Sequence, residues 1–462
     1  MPVLNSNGVP TTVFRGDLAV DRQEGNGPES VATALTSSKT GYIRSGVISR
    51  LFPSLSITGS FELADEIPTV TVGVSGAASA IPSAVRVYPA VKDATYADHL
   101  NDPFFRIVGV PDGRMLVGPS GTIEGDTFTG ATPGGATSYW QPLIETNWFG
   151  TQIEMRLRSK FTGTVYYRLY VNNKPVTDTF QSFSGSSGGG YNILLTFASA
   201  GARVIGIEFA YAQFGGAWVE PAASLCRPKV DRRKIAFISN SILGGFNPVQ
   251  RHNTWAGNVA RLLGMDAYNA SVGQTGFVAL APYALRVADI AACNPDLIIV
   301  GDPYNDIGQG QEVTLAAARQ TLDAILAQCP GSRIILLGCW SPSQAPNASL
   351  LAYDADQKAL AAEYNIPFLS YLDAGDSMAS TNAWAASTAY LLGQKVTNGG
   401  IVWQCTTAHT SGGSFDSTKF QPCSLVTTTN VGTVLLGDGL HPVEQFHKAL
   451  TALQARRICQ VA

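Results

Sequence analysis

The sequence predicts a multidomain chain: an all-β sandwich or jelly roll, then a parallel α/β sheet into which a small β module is inserted. Three observations carry this. From about residue 105 to 223, runs such as Ile153–Arg158 and Val165–Val171 alternate apolar and polar residues between Gly-rich turns. From Lys234 the period changes, and short apolar strands alternate with helix-length amphipathic stretches, the pattern of a parallel sheet covered on both faces. Between Leu372 and Val426 that alternation stops and turn residues and aromatics take over.

Taken in order, residues 1–104 hold short alternating segments (54–61 and 69–74) and an Ala/Ser-rich connector at 76–83, but no chemical constellation. The expectation there is a β-rich attachment or assembly region. Residues 105–223 form the sandwich, with a hairpin turn at Asn172–Pro175 and a Gly/Ser loop at 184–190. Trp140, Trp148 and Trp218 could give it a sugar-stacking surface, although such rings also serve as core. Residues 224–233 are charged and contain a proline, and read as a linker. Residues 234–462 form the α/β domain, with strands at 234–238, 296–300, 333–337 and 367–372. Its helices fall at 254–263, 282–293, 315–328 and 350–364. Residues 382–424 are the inserted module.

Composition narrows the function. Charged residues make up 14% of the chain, against ~25% in ordinary soluble domains. The net charge of −3 comes without a basic block, so a nucleic-acid partner has no electrostatic support. No apolar run approaches the ~20 residues of a membrane span. The opening residues show no basic segment followed by an apolar one, so synthesis in the cytoplasm without a secretory signal is expected. The seven cysteines read mostly as buried free thiols. No CxxC or Cys/His ligand spacing occurs, so no metal site is expected.

Parallel α/β sheets place chemistry at the carboxyl ends of their strands. Four such ends carry suitable residues. Ser241 follows the first strand in Ser239-Asn240-Ser241, where a hydroxyl and backbone N–H groups can meet a ligand. Gly273 and Gln274 lie in the turn 269–276, and Asn305 and Asp306 follow the strand ending at Val300. Asp438 and His441 sit in the turn Gly437–Pro442 before the last helical pattern, where the histidine can act as a base and the aspartate can orient it. The same pair also fits a helix N-terminus with Asp438 as N-cap. Asp302 is a rival carboxylate without a histidine nearby in sequence, and His447 reads as a surface residue.

With these motifs in order, the chain resembles the SGNH (GDSL-type) hydrolases over about 234–372 and 426–462. The resemblance implies a flavodoxin-like α/β/α fold, Ser241 as nucleophile, His441 as base and Asp438 as its support. It further implies an oxyanion hole from Ser241, Gly273 or Gln274, and Asn305, with no cofactor. Asn240 stands where the family has aspartate, Gln274 falls on the usual oxyanion glycine position, and Pro303 replaces a common glycine. The insert resembles small chitin-binding-type carbohydrate modules, with Trp384, Tyr390 and Trp403 at the aromatic positions and Phe420 where a tryptophan is usual. Sugar binding and core packing compete for these rings, and Cys405 and Cys423 could pair across the module. The combination resembles polysaccharide O-acetylesterases. It implies an acetylated polysaccharide substrate and suits a bacteriophage tail or tailspike protein released by lysis, with other virion proteins as partners and room for a homo-oligomer. A glycan receptor-binding protein that no longer catalyses, and a lipid or small-ester esterase, are the alternatives.

Overall fold

The structure is a computed structural model. It describes residues 62–125, 142–245, 254–341, 348–371 and 383–425, apart from one to three positions at a time within them. Outside these ranges it describes short strands before residue 31, Leu55 and part of 447–461.

Where the sequence predicts a sandwich, the described strands form a sheet-rich domain linked as one 12-stranded sheet, built on two long antiparallel strands, β1 (Leu143–Ser159) and, after the shorter β2 (Gly163–Val171), β3 (Gly190–Ala210). β1 and β3 pair from Leu143↔Glu208 to Arg158↔Gly190, with a register shift between Gly150 and Gln152. β2 joins the far half of β3, and β4 (Ala212–Val219) joins the second half of β1. Alternation decides what faces in: Ile153, Met155 and Leu157 of β1, Ile193 and Leu195 of β3, and Ala217 and Val219 of β4 are all buried. The expected hairpin after β2 is present, with Asn172 and Asn173 both at positive φ (51° and 69°), as a tight two-residue turn requires.

Two expected boundaries shift. Thr69–Val72 pairs with β3 and Val85–Val87 with β4, so the described part of the N-terminal region belongs to the sandwich and does not stand apart at residue 104. Ser224–Cys226, expected within the linker, pairs with β1 as a further strand. Backbone hydrogen bonds, which composition does not reveal, decide both cases. Trp148 is also not a sugar platform: it is buried against Phe197, with ring centroids 5.5 Å apart. Trp140 lies outside the described residues.

The second domain runs β5 (Lys234–Ile238), α1 (Ser241–Gly244), α2 (Trp255–Leu262), β6 (Asp266–Asn269), α3 (Val287–Cys293) and β7 (Leu297–Gly301). It continues with α4 (Gln311–Gln328), β8 (Arg333–Leu337), α5 (Ala348–Glu363) and β9 (Phe368–Leu369). The strands are parallel in the order β6-β5-β7-β8-β9, a doubly wound sheet with its switch point beside β5. Ala236, Ile238, Ile298, Val300, Ile334 and Leu336 pack on one face with Ile290, Leu322, Ile325 and Leu360 of α3, α4 and α5. Their neighbours Ile235, Phe237, Leu297, Ile299, Ile335 and Leu337 pack on the other face with Trp255, Val259 and Leu262 of α2 and with Ala455 and Ile458. Uniformly apolar strands are thus the consequence of two covered faces.

The two domains share a buried ion cluster. Arg106 of the sandwich donates to Glu145 (2.6 Å) and to Asp266 of β6, and Arg232 reaches the same two carboxylates at 3.2 and 3.4 Å. Arg114 adds an ion pair to Asp289 of α3 at 2.6 Å.

The insert is a three-stranded sheet of β10 (Lys395–Asn398), β11 (Ile401–Cys405) and β12 (Phe420–Leu425), with a small ladder between Ala389–Tyr390 and His409–Thr410. Its core is Tyr390, Val396, Trp403, Cys405 and Phe420. Tyr390 and Trp403 are therefore packing residues rather than exposed platforms, because forty residues have few other large side chains with which to fill an interior. Trp384 is half-buried, edge-on to Phe415 at 5.8 Å. Cys405 is a free thiol whose Sγ donates to the Thr407 carbonyl, and the side chain of Cys423, with which it could pair, lies outside the described residues.

Candidate active site

Ser241 sits at the first turn of α1, directly beyond the carboxyl end of β5. The turn is held from both sides. Asn240 caps α1: its Oδ1 accepts from Ile242 N–H at 2.9 Å, while its Nδ2 donates to the Asp302 carbonyl at 3.3 Å. This accounts for an amide at position 240. An aspartate could accept the cap hydrogen bond, but it would turn a carboxylate oxygen, not a donor, toward that carbonyl. Ser239 Oγ donates to the Gly301 carbonyl at 2.9 Å, tying the end of β5 to the end of β7.

The second strand end lies beside the first. Val272 N–H donates to the Ser239 carbonyl at 2.9 Å, carrying the ladder past β6. Asn269 Nδ2 donates to the Leu243 carbonyl at 2.8 Å. A Cβ built on Gly273 would lie 3.6 Å from Ser241 Cβ, so this backbone is next to the hydroxyl-bearing residue. Gln274, next in line, is left-handed (φ 65°), and both residues are exposed. β6 itself escaped the sequence reading, because Asp-Ala-Tyr-Asn has no β-branched residue to mark it.

The third strand end completes the group. Asn305 Nδ2 donates one hydrogen to the Thr275 carbonyl at 2.9 Å, which leaves its second hydrogen for a ligand. Asp306 is buried and accepts the N–H groups of Phe277, Val278 and Ala279 at 2.8, 3.0 and 2.8 Å. It anchors the loop that follows Gly273 rather than capping the segment after itself. Gly276 makes room for this contact, since a Cβ there would collide with the Asp306 carboxylate.

Arg286 went unnoticed in the sequence, where a single arginine early in a helix reads as a surface charge. It is buried, and donates to the Ser239 carbonyl (3.0 Å), the Ala270 carbonyl and Thr275 Oγ1 (2.9 Å). One guanidinium thus pins the ends of β5 and β6 behind Ser241.

Asp302 lies behind the same turns. It is left-handed (φ 74°) and fully buried, and its Oδ1 accepts from Tyr304 N–H and Trp340 N–H at 3.2 and 3.0 Å, while Oδ2 has no partner. Burial pushes its carboxyl up to about 7, against the hydrogen bonds from Trp340 and Tyr304. In the unfolded chain the group ionises near ~4. Folding therefore binds a proton between these values, so the contribution to stability is whole below about pH 4 and is lost as pH rises through 7. The loss is at most ~4 kcal/mol. Asp302→Asn keeps the Oδ1 acceptor and is expected to flatten the decline of the urea midpoint between about pH 5 and pH 8. An unchanged decline in the variant would assign the titration to another group.

Asp438 and His441 lie outside the described residues, as do His99 and His252. His447 is not a surface residue. It is buried, with Nδ1 accepting from Trp255 N–H at 3.4 Å, so it helps to seat α2. Among the described residues no group of His, Cys, Asp and Glu could hold a metal ion, and no helix is long and apolar enough to cross a membrane.

Residues 240–390 match the GDSL-like Lipase/Acylhydrolase family. The chain carries a GDSL-type acylhydrolase domain. The matched stretch opens at the Ser241 turn, includes the strand ends at Gly273 and Asn305, and stops before the Asp438–His441 turn. Residues 383–422 match carbohydrate-binding module family 5/12. Compared with curated proteins by sequence, the chain has no match.

Among solved structures the chain is similar to the salicylyl-acyltransferase SsfX3 from a tetracycline biosynthetic pathway. The TM-score is 0.53 at 12% identity, over 79% of this chain and 97% of that one. That coverage exceeds the GDSL-type domain, so the likeness in fold extends into the sandwich. It is also similar to a family two carbohydrate esterase from Cellvibrio japonicus (TM-score 0.44, 13% identity, 66% and 89% of the two chains). A third likeness is to the acetyl xylan esterase Est2A from the rumen bacterium Butyrivibrio proteoclasticus (TM-score 0.41, 12% identity, 65% and 90%).

Proposed function

We propose that the chain is a serine esterase that removes O-acetyl groups from a polysaccharide. The observation that carries this is the convergence of Ser241, the Gly273 backbone and the Asn305 amide at three neighbouring strand ends, clamped from behind by Arg286. In this reading Ser241 Oγ attacks the ester carbonyl and His441 takes its proton, with Asp438 holding the imidazole in the required tautomer. The oxyanion is met by Ser241 N–H, an N–H at Gly273 or Gln274, and the free hydrogen of Asn305 Nδ2; one such donor is worth ~3 kcal/mol in the transition state. His441 then returns the proton to the departing sugar hydroxyl, and water resolves the acetyl-serine by the same path.

The carbohydrate-module match at 383–422 supports a saccharide substrate. Sparing use of charge suits work outside the cell, and we place the protein on a phage tail or free after lysis. Acetate release from acetylated bacterial surface polysaccharides tests the reading. Wild type is expected to release acetate and to prefer acetyl over long-chain esters. Glycan binding with no turnover of any acetyl ester would sink it, and a preference for long acyl chains would point to a lipid esterase instead.

A further inference from the structure

The outer face of the sandwich, remote in sequence from Ser241, carries a cluster that the esterase does not use. Cross-strand register places Arg86 opposite Trp218 and Trp218 opposite Glu154, with Arg156 opposite Asn192 one row along. The Arg86 guanidinium lies 4.2 Å from the Tyr88 ring centroid and 5.6 Å from that of Trp218, and Tyr88 is 50% exposed. Arg86 Nη2 donates to the Gly215 carbonyl at 3.0 Å, and Arg156 Nη1 donates to Asn192 Oδ1 at 2.8 Å. A Cβ on Gly215 would touch the Arg156 stem and the Arg86 guanidinium, so the two side chains share this stretch of bare backbone.

Like charges brought this close repel, and neither arginine has an ion-pair partner among the described residues. Burial, and then the Arg86 charge, hold Arg156 below the usual arginine range. Along the same row three buried polar atoms have no partner: Arg86 Nε, Trp218 Nε1 and Glu154 Oε2. Glu154 is 1% exposed, and its other oxygen is taken by Ala80 N–H at 2.8 Å.

We propose that this face binds an acidic saccharide, a uronic-acid residue of a polysaccharide. Its carboxylate would bridge Arg86 and Arg156, and its ring would lie against Trp218 and Tyr88. The aromatic rings, one of them half-exposed, favour a sugar over a bare anion. The site is independent of the ester chemistry and would hold the polymer rather than cleave it.

The test is calorimetric titration of the full-length Ser241→Ala chain with oligogalacturonate, a neutral xylo-oligosaccharide of equal length, and sodium sulfate. Oligogalacturonate is expected to bind, more weakly as salt rises, and the other two are not. Arg156→Gln is expected to weaken binding about tenfold while p-nitrophenyl acetate hydrolysis, measured with Ser241 intact, is unchanged. Tyr88→Ala, on an exposed ring that cannot disturb the core, is expected to weaken it too. No heat with oligogalacturonate, equal binding of the neutral sugar or of sulfate, or affinity that survives both substitutions would overturn the proposal. None of those outcomes touches the esterase reading, which stands or falls on acetate release.

Discussion

Ser241→Ala is expected to abolish hydrolysis of p-nitrophenyl acetate, lowering kcat by ~10⁴-fold or more while leaving the melting temperature nearly unchanged. The two halves of this expectation have separate physical sources. Three contacts beside the Ser241 side chain hold the turn: Asn240 caps α1, Gly245 N–H donates to the Ser241 carbonyl at 2.7 Å, and Ser239 links β5 to β7. Alanine is a good residue in a first helical turn, so the backbone should persist. What vanishes is the hydroxyl proposed to attack the ester carbonyl. Residual activity within tenfold of wild type would move the nucleophile elsewhere and leave the surrounding amides as a binding site.

Arg286→Met is expected to cost ~3–5 kcal/mol of unfolding free energy and to lower kcat measurably at temperatures where the variant is still folded. Methionine fills much of the same volume but donates nothing, so the carbonyls of Ser239 and Ala270 and the Thr275 hydroxyl lose their shared donor in a dry interior. Water cannot easily replace it, because Arg286 and Tyr283 are both buried there. The kinetic effect follows from geometry. Releasing the end of β6 from that of β5 lets Gly273 drift from Ser241, and an oxyanion donor misplaced by about 1 Å loses much of its value. A denaturation midpoint within ~1 kcal/mol of wild type would mean that other contacts hold these strand ends. Loss of stability with an intact kcat would separate the clamp from catalysis.

The α/β part was legible wherever a property repeats along the chain. Ile-Ile-Val and Ile-Ile-Leu runs announce strands buried on both faces, and β8 at Arg333–Leu337 falls where its pattern put it. The three described strand-end residues Ser241, Gly273 and Asn305 were readable because small and amide residues after apolar runs are local signals. Features set by tertiary partners were not readable. Arg286, Asp306 and His447 look like ordinary polar surface residues until the fold shows which carbonyl or N–H each one meets. The rings of the insert stayed ambiguous in the sequence for the opposite reason. Trp403 and Tyr390 are equally good as platforms or as filling, and in so small a module the interior needs them. β6 was missed because an edge strand of four residues can be held by ladder bonds and a single buried tyrosine, without the side chains that advertise β structure.

The cluster of Arg106, Glu145, Asp266 and Arg232 has a consequence for how the molecule comes apart. Each domain contributes charges to an interior that water does not reach, so neither owns a complete, neutral surface at that junction. Separating the domains at residue 233 would leave Asp266 without a cation on one side and Arg106, Arg232 and Glu145 with an excess positive charge on the other. The separated state therefore gains no large stabilisation until both sides are rehydrated. Sandwich and hydrolase should melt as one cooperative unit, with a single calorimetric transition. Cutting the chain near residue 233 would then yield not a minimal enzyme but half of a shared core.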